Sequence, residues 1–203
     1  MHFGAIVILS ELVQLDVFEV SPHNRQIMRS SRVALGVLVC LVLTTPAWGG
    51  HTLRSQEQKV LGAWLARHPD FRVATDSDCD CAEDIQQMKK GYGGGWPAVP
   101  DYHPYVATGD FNSDGVRDFA VVVVDGSKSA QNFVLLVFNG PFDSKAATPA
   151  FVASGLDLRY QGLSFGPPRP KPYRLVMGWF ESDNTAILVP QGRTYKLQGN
   201  EDN

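Results

Sequence analysis

The run FAVVVV at residues 119–124 sets the strongest limit on how this chain can fold. Val and Phe favour extended backbone, because their side chains pack well on a pleated sheet. The run is apolar at consecutive positions, so both faces of such a strand need cover. We therefore expect residues 119–124 to form a central strand that is covered by helices.

Further strand patterns follow along the chain. Asp125-Gly126 is a turn signal, and residues 133–138 (FVLLVF) form the next predicted strand. Four later segments also favour strands: residues 158–165, 173–180, 185–189 and 194–197. Gln191-Gly192 indicates a tight turn between the last two.

Helices are predicted ahead of these strands. Residues 55–68 carry one apolar stripe, formed by Val60, Leu61, Trp64 and Leu65. Ser55 is the expected N-cap, with Gln58 completing a capping box. A second, short helix is predicted at residues 85–90. The order favours an α+β domain, with N-terminal helices packed on an antiparallel sheet of five or six strands.

Residues 28–49 have the three parts of a signal peptide: a basic start, an apolar run of eleven residues, and Ala47-Trp48-Gly49 before the cut. As a helix the apolar run spans about 16 Å, too short for a bilayer core of about 30 Å. An uncleaved anchor is the alternative. We interpret residues 1–27 as a doubtful N-terminal extension and residues 50–203 as a single domain, located in the periplasm or outside the cell.

Composition excludes some classes of partner. A cut after Gly49 leaves 154 of the 203 residues, which is enough for one domain with a core. The net charge is −3, and it is unchanged without residues 1–49, which hold three arginines and three acidic residues. The domain has no basic field for nucleic acid or an acidic membrane. We expect no nucleic-acid partner, and membrane contact only through the signal peptide.

Residues 110–118 repeat oxygen-bearing side chains in a way that suits a hard cation. When Asp110 is counted as loop position 1, these side chains occupy positions 1, 3, 5 and 9: Asp110, Asn112, Asp114 and Asp118. Gly115 permits the turn at position 6, and the Val116 carbonyl can face an ion at position 7. Carboxylates this close repel one another unless a cation neutralises them. The alternative is an Asx-rich turn without an ion.

The segment TGDFNSDGVRDFAVVVV (residues 108–124) resembles the FG-GAP/VCBS-type repeat of integrin α-chain propellers and of many secreted bacterial proteins. It departs from an EF-hand, because Val121 replaces the Glu of position 12 and a β run follows. The resemblance implies a structural Ca²⁺ with five ligands: Asp110, Asn112, Asp114, the Val116 carbonyl and Asp118. One copy cannot build a propeller, so it implies one hairpin that holds a calcium loop.

A second acidic run, residues 76–84, has alternating carboxylates at Asp76, Asp78 and Asp80, but no Gly follows to turn the chain. We favour a helix start, which suits the macrodipole, over a second metal site. Cys79 and Cys81 allow three interpretations: a local disulfide, two free thiols or half of a metal site. We favour the disulfide, because an exported chain tends to be oxidised.

Catalytic motifs are weak. Ser164 lies in a G-x-S-x-G match, but Pro167-Pro168 excludes the helix that a nucleophile elbow requires. His103 could face a pocket, although an ordinary loop position is favoured. We therefore predict no catalytic residues.

Aromatic residues leave a binding role open. Five of them could form either a binding face or core: Trp96, Tyr102, Tyr105, Trp179 and Phe180. The segment 179–183 is the best candidate for such a face. The predicted function is a secreted or periplasmic calcium-binding module with a structural or partner-binding role, the partner being a cell-envelope protein or glycan. The alternatives are an envelope-polymer hydrolase that uses Glu181 and Asp183, or a secreted protein inhibitor.

Overall fold

The computed structural model describes residues 50–91, 97–142, 148–180 and 184–199. The predicted extension and signal peptide, at residues 1–49, lie outside the described residues, as do Trp96, Glu181 and Asp183. Over the described ranges, no helix has the length and apolar character needed to cross a membrane.

The described elements are two α-helices, one 3-10 turn at Asp76–Asp78 and nine strands. The helices are α1 (Ser55–Leu65) and α2 (Ala82–Lys90). The strands are β1 (Phe71–Val73), β2 (Val106–Gly109), β3 (Asp118–Asp125), β4 (Phe133–Phe138), β5 (Phe151–Leu156), β6 (Gln161–Ser164), β7 (Leu175–Trp179), β8 (Thr185–Gln191) and β9 (Thr194–Gly199).

The strands form two antiparallel sheets. In the first sheet the order is β1-β3-β4-β5, and β2 also pairs with β3. The second sheet is a meander in the order β6-β7-β8-β9. The prediction of antiparallel pairing is confirmed, but the described strands number nine and form two sheets, where the sequence predicted one sheet of five or six. Part of the reason is β5, whose exposed and half-exposed residues at a sheet edge carry no clear apolar pattern.

The prediction of a central strand is confirmed, because β3 is buried at every position and pairs on both edges. One face of β3 shares a core cluster with α1, formed by Val60, Leu61, Trp64, Phe119, Val121 and Val123 among others. The other face belongs to a second core cluster, which joins Ala120 and Val122 with Leu163, Leu175 and Leu188 of the second sheet and Ile85 of α2. A sheet therefore shares the cover that the sequence assigned to helices alone.

The two helices do not pack together as one N-terminal layer. β1 lies between them in the chain, and they belong to different core clusters, α1 to that of Val121 and α2 to that of Val122. α1 begins at Ser55, but its N-cap is Arg54, whose N–H is bonded by Glu57 Oε2 at 2.7 Å. Gln58 bonds the Leu53 carbonyl instead, so the predicted capping box is wrong. α2 has acidic residues in its first turn and lysines in its last, as the macrodipole favours.

Cys79 and Cys81 form a disulfide, the first of the three interpretations. Both cysteines are buried in the core cluster that contains Leu158 and Ile85. Next to them, the Asp80 N–H donates to the Arg159 carbonyl at 2.8 Å. The bridge thus lies where the segment before α2 meets the turn before β6.

Candidate metal centre

The predicted ligand loop joins two paired strands. β2 and β3 are antiparallel neighbours, with Gly109 opposite Asp118 at the root of the hairpin. Gly115 has a φ of 83°, a left-handed backbone that a residue without Cβ adopts at no steric cost. The loop between these strands therefore turns where the sequence placed its glycine.

Side chains of the loop bond its own backbone. Asp110 accepts the N–H groups of Asp114 at 3.0 Å and of Gly115 at 2.9 Å. Asn112 Oδ1 also accepts from Asp114 N at 3.0 Å, and Asp114 Oδ1 accepts from Val116 N at 2.8 Å. Such Asx bonds curl a chain tightly. They bring Asp110, Asn112 and Asp114 together on one turn.

Asp118 begins β3 and is completely buried. Its carboxylate accepts the N–H of Phe111 at 2.8 Å and the N–H of Gly140 at 3.0 Å. Burial raises its pKa to about 6, repulsion from Asp114 and Asp110 adds to the rise, and the two N–H groups oppose it. In the described part of the chain, no Lys, Arg or His forms an ion pair with it. A buried carboxylate without a counter-charge is costly, and a metal ion is one remedy.

Arg117 precedes Asp118 in the sequence, but its guanidinium pairs with Glu57 and not with Asp118. Its Nε donates to Glu57 Oε1 at 2.8 Å, and its Nη2 donates to the Thr52 carbonyl at 3.2 Å. Glu57 is 2% exposed and sits on α1. Sequence reasoning missed this pair, although Glu57 precedes Val60 and Leu61 by three and four residues and so lies on the same apolar stripe.

The segment after β4 connects the buried carboxylate to the second sheet, because Gly140 donates to Asp118 and its neighbour Asn139 bonds Tyr195 of β9. A Cβ at Gly140 would come within 2.6 Å of the Arg117 carbonyl oxygen, so only glycine lets its N–H reach Asp118. Tyr195, from the second sheet, donates its hydroxyl to Asn139 Oδ1 at 2.7 Å. Burial raises the pKa of Tyr195, and the loop carboxylates raise it further. Asn139 and Gly140 directly follow the strand predicted at residues 133–138, and no sequence motif marked them as part of a site.

The donor set suits a hard cation, but its members do not converge in one ready-made group. Within the described ranges, no three His, Cys, Asp or Glu side chains are arranged to hold a metal ion. Each ionised carboxylate has about four lone-pair sites, so Asp110 and Asp114 keep acceptor capacity beyond their backbone bonds. All the candidate ligands are oxygens, which Ca²⁺ prefers. The residues therefore fit calcium by the chemistry of their donor atoms, and Asp118 adds a buried carboxylate that no ion pair with a described residue neutralises.

Two carboxylates of the other acidic run, those of Asp76 and Asp78, have side-chain partners. Arg72 donates to both oxygens of Asp78, at 2.8 and 2.5 Å, and lowers the pKa of Asp78 to about 2. Asp76 pairs with Lys89 at 3.4 Å and with His103 at 2.9 Å. These contacts support the interpretation of a helix start. They also place His103 Nδ1 within hydrogen-bond distance of Asp76.

The aromatic residues divide between core and surface. Tyr102 and Tyr105 are 1% and 2% exposed, so they belong to the core. Trp179 is 41% exposed and lies parallel to Tyr160, with the ring centres 5.8 Å apart. Sequence reasoning identified Trp179 for such a face but missed Tyr160.

Compared with protein-family models, curated proteins and solved structures, the chain has no match in any of the three. The likeness to FG-GAP/VCBS-type repeats therefore rests on residues 108–124 alone.

Proposed function

We propose that this chain is a secreted or periplasmic module of α+β type whose β2–β3 hairpin binds one structural calcium ion. The observation that carries the proposal is the buried Asp118 carboxylate, which forms no ion pair with a cationic side chain of the described residues. The ligands are Asp110, Asn112, Asp114, the Val116 carbonyl and Asp118. When bound, the ion supplies positive charge that lets three carboxylates remain ionised in one loop.

The loop is attached to several elements, which supports a structural role. Asp118 bonds Gly140 at the end of β4, and Arg117 bonds Glu57 on α1. An ion that orders the loop therefore stabilises the contacts between β2, β3, β4 and α1. The disulfide between Cys79 and Cys81 is in keeping with an oxidising compartment outside the cytoplasm.

The test is thermal unfolding with a calcium chelator and with excess Ca²⁺. A ligand at about 100 times its Kd stabilises the fold by about 2.7 kcal/mol, which corresponds to a melting temperature higher by roughly 5–10 °C. We expect this shift for the wild type and its loss in Asp114→Ala.

Asp80→Ala is the matched control. Asp80 belongs to the other acidic run, and its exposed side chain has no hydrogen-bond partner in the described part of the chain. This variant should keep the full calcium shift. Identical melting curves with chelator and with calcium would contradict the proposal, and so would an equal loss of the shift in both variants.

A partner-binding role is the second candidate, and the exposed Trp179–Tyr160 pair favours it. Aromatic faces of this kind suit a glycan or an envelope protein. The role of inhibitor is one form of partner binding. The hydrolase alternative depends on Glu181 and Asp183, which lie outside the described residues.

A further inference from the structure

A cavity of about 270 Å³ is lined by parts of the chain that the calcium loop does not use. Its walls come from His51, Met88, residues 97–101 and residues 164–169. Most of the wall is apolar, through four prolines, Val99 and Phe165. Its polar side chains are few: His51, Asp101, Ser164 and Arg169. Apolar walls with a few polar groups are typical of small-molecule sites.

His51 offers a hydrogen-bond acceptor to this cavity. Its Nδ1 lies 2.6 Å from the Val106 carbonyl oxygen and 3.1 Å from that of His103. Carbonyls only accept, so Nδ1 carries the proton. Burial lowers the pKa of His51, which keeps the ring neutral and leaves a lone pair on Nε2.

The Nε2 atom has no partner among the described residues, although His51 is only 7% exposed. In the same part of the chain, no fully buried side-chain nitrogen or oxygen lacks a hydrogen bond. Nε2 therefore keeps some access to open space, and His51 is one of the residues that line the cavity.

Arg169 supplies a positive charge to the same cavity. Its guanidinium has no hydrogen bond or ion pair with any described residue, and burial lowers its pKa with no carboxylate opposing the change. By contrast, Arg72, Arg117 and Arg159 each pair with a carboxylate. A half-buried, unpaired guanidinium is suited to a carboxylate, which it can bind through two parallel hydrogen bonds.

We propose that this cavity binds a small carboxylate of the amino-acid class. The ligand's carboxylate pairs with Arg169, an N–H donor bonds His51 Nε2, and an apolar side chain rests on the proline-rich wall. The volume lies just below the roughly 300–1,000 Å³ of sites for drug-sized ligands, which favours a ligand of this size. Asp101 adds a negative group for an ammonium.

Ser164 also lines the cavity, but no hydrogen bond joins it to His51. A nucleophile requires such a contact with its base. The cavity is therefore proposed as a binding site without a covalent step. None of its lining residues is a proposed calcium ligand, although Phe165 contacts Phe111 of the loop, with the ring centres 5.0 Å apart. The binding test therefore does not require the calcium proposal to hold, and it is run at one fixed calcium concentration.

The test is saturation-transfer NMR on the full chain with the twenty free L-amino acids, each compared with its carboxamide. We expect at least one amino acid to bind tenfold or more tightly than its amide, which lacks the carboxylate. Arg169→Gln should weaken that binding at least tenfold. Arg193→Gln removes an equal charge from the β8–β9 turn, outside the cavity, and should leave binding unchanged.

The N-acetyl form of the tightest-binding amino acid distinguishes two possible ligands, a free amino acid and the C-terminal residue of a peptide. Equal binding of this form indicates the C-terminal residue of a peptide, and loss of binding indicates a free amino acid. His51→Gln should weaken binding as well, but His51 also bonds two backbone carbonyls, so Arg169→Gln carries the test if that variant does not fold. The proposal is overturned if no amino acid binds better than its amide, or if Arg169→Gln binds as tightly as the wild type.

Discussion

Two segments of this protein place acidic residues at alternate positions, yet they balance the charge differently. Around residues 76–80, Asp78 pairs with Arg72, and Asp76 pairs with Lys89 and His103. Around residues 110–118, the carboxylates bond backbone N–H groups, and no ion pair reaches them from the described residues.

Burial separates the two segments further. The Asp78 side chain is 16% exposed and its partner Arg72 is 57% exposed, so water screens the pair. Asp118 is 0% exposed. Both segments with alternating acidic residues curl, one as a 3-10 turn and the other through Asx bonds. Whether a cationic side chain balances the carboxylates depends on the residues that pack around each segment.

The largest expected effect is a difference in the free energy of unfolding between alanine variants of Arg117 and Arg72, one arginine from each segment. Arg117→Ala leaves the buried Glu57 carboxylate without its cation, which should lower the free energy of unfolding by about 3 kcal/mol. Arg72→Ala removes an exposed partner and should cost less than about 1 kcal/mol. Urea denaturation with chelator present measures both. Equal losses would show that burial does not distinguish the two segments.

An intermediate effect is expected in the pH dependence of stability with chelator present. The pKa of Asp118 is about 6 in the fold and about 3.9 in an unfolded chain. The folded state therefore holds the proton more tightly, so stability should fall as pH rises from about 4 to 6, by on the order of 1–3 kcal/mol. Urea denaturation at a series of pH values measures the decline.

The pKa shift of Asp78 makes stability depend on pH in the opposite direction. Its pKa is lowered to about 2, so its contribution is present above about pH 4 and is lost as pH falls towards 2. Asp118→Asn should remove the decline between pH 4 and 6, whereas Asp78→Asn should leave it in place. A decline that survives in Asp118→Asn would assign it to another group.

The smallest effect concerns salt. Asp78→Asn should lower the free energy of unfolding by less than about 1 kcal/mol at low ionic strength, because the pair with Arg72 is largely solvated. Most of that loss should vanish near 1 M NaCl, where the Debye length is about 3 Å. Urea denaturation at the two salt concentrations measures the difference. A loss that is unaffected by salt would show that backbone contacts, such as that from Thr75 N at 2.8 Å, dominate at Asp78.

Local patterns predicted much of the fold. Residues 119–124 and 133–138 are apolar at every position, and both became buried strands. The turn at Gln191-Gly192 and the start of α1 at Ser55 also depend on neighbouring residues alone. β5 was missed, because it is half exposed at an edge and its residues do not alternate in polarity.

The candidate sites show the same division. The loop ligands could be identified in sequence, because Asx side chains and a glycine act over a few residues. Glu57 reaches Arg117 across sixty residues of chain, and Tyr195 reaches Asn139 across fifty-six. A local sequence pattern cannot predict a contact between residues so far apart in the chain. The cavity also depends on His51 and Arg169, which only folding brings to one wall.

The sequence by itself determined that the FAVVVV strand needs cover on both faces and that residues 110–118 must turn. Only the tertiary structure decided that α1 packs in the core cluster of one face and that residues of a second sheet join the cluster of the other. Only the tertiary structure left Asp118 buried while it turned Arg117 towards Glu57. The physical reason is that strand preference and turn geometry arise between neighbours in the chain, whereas burial and charge pairing arise between residues that are distant along it.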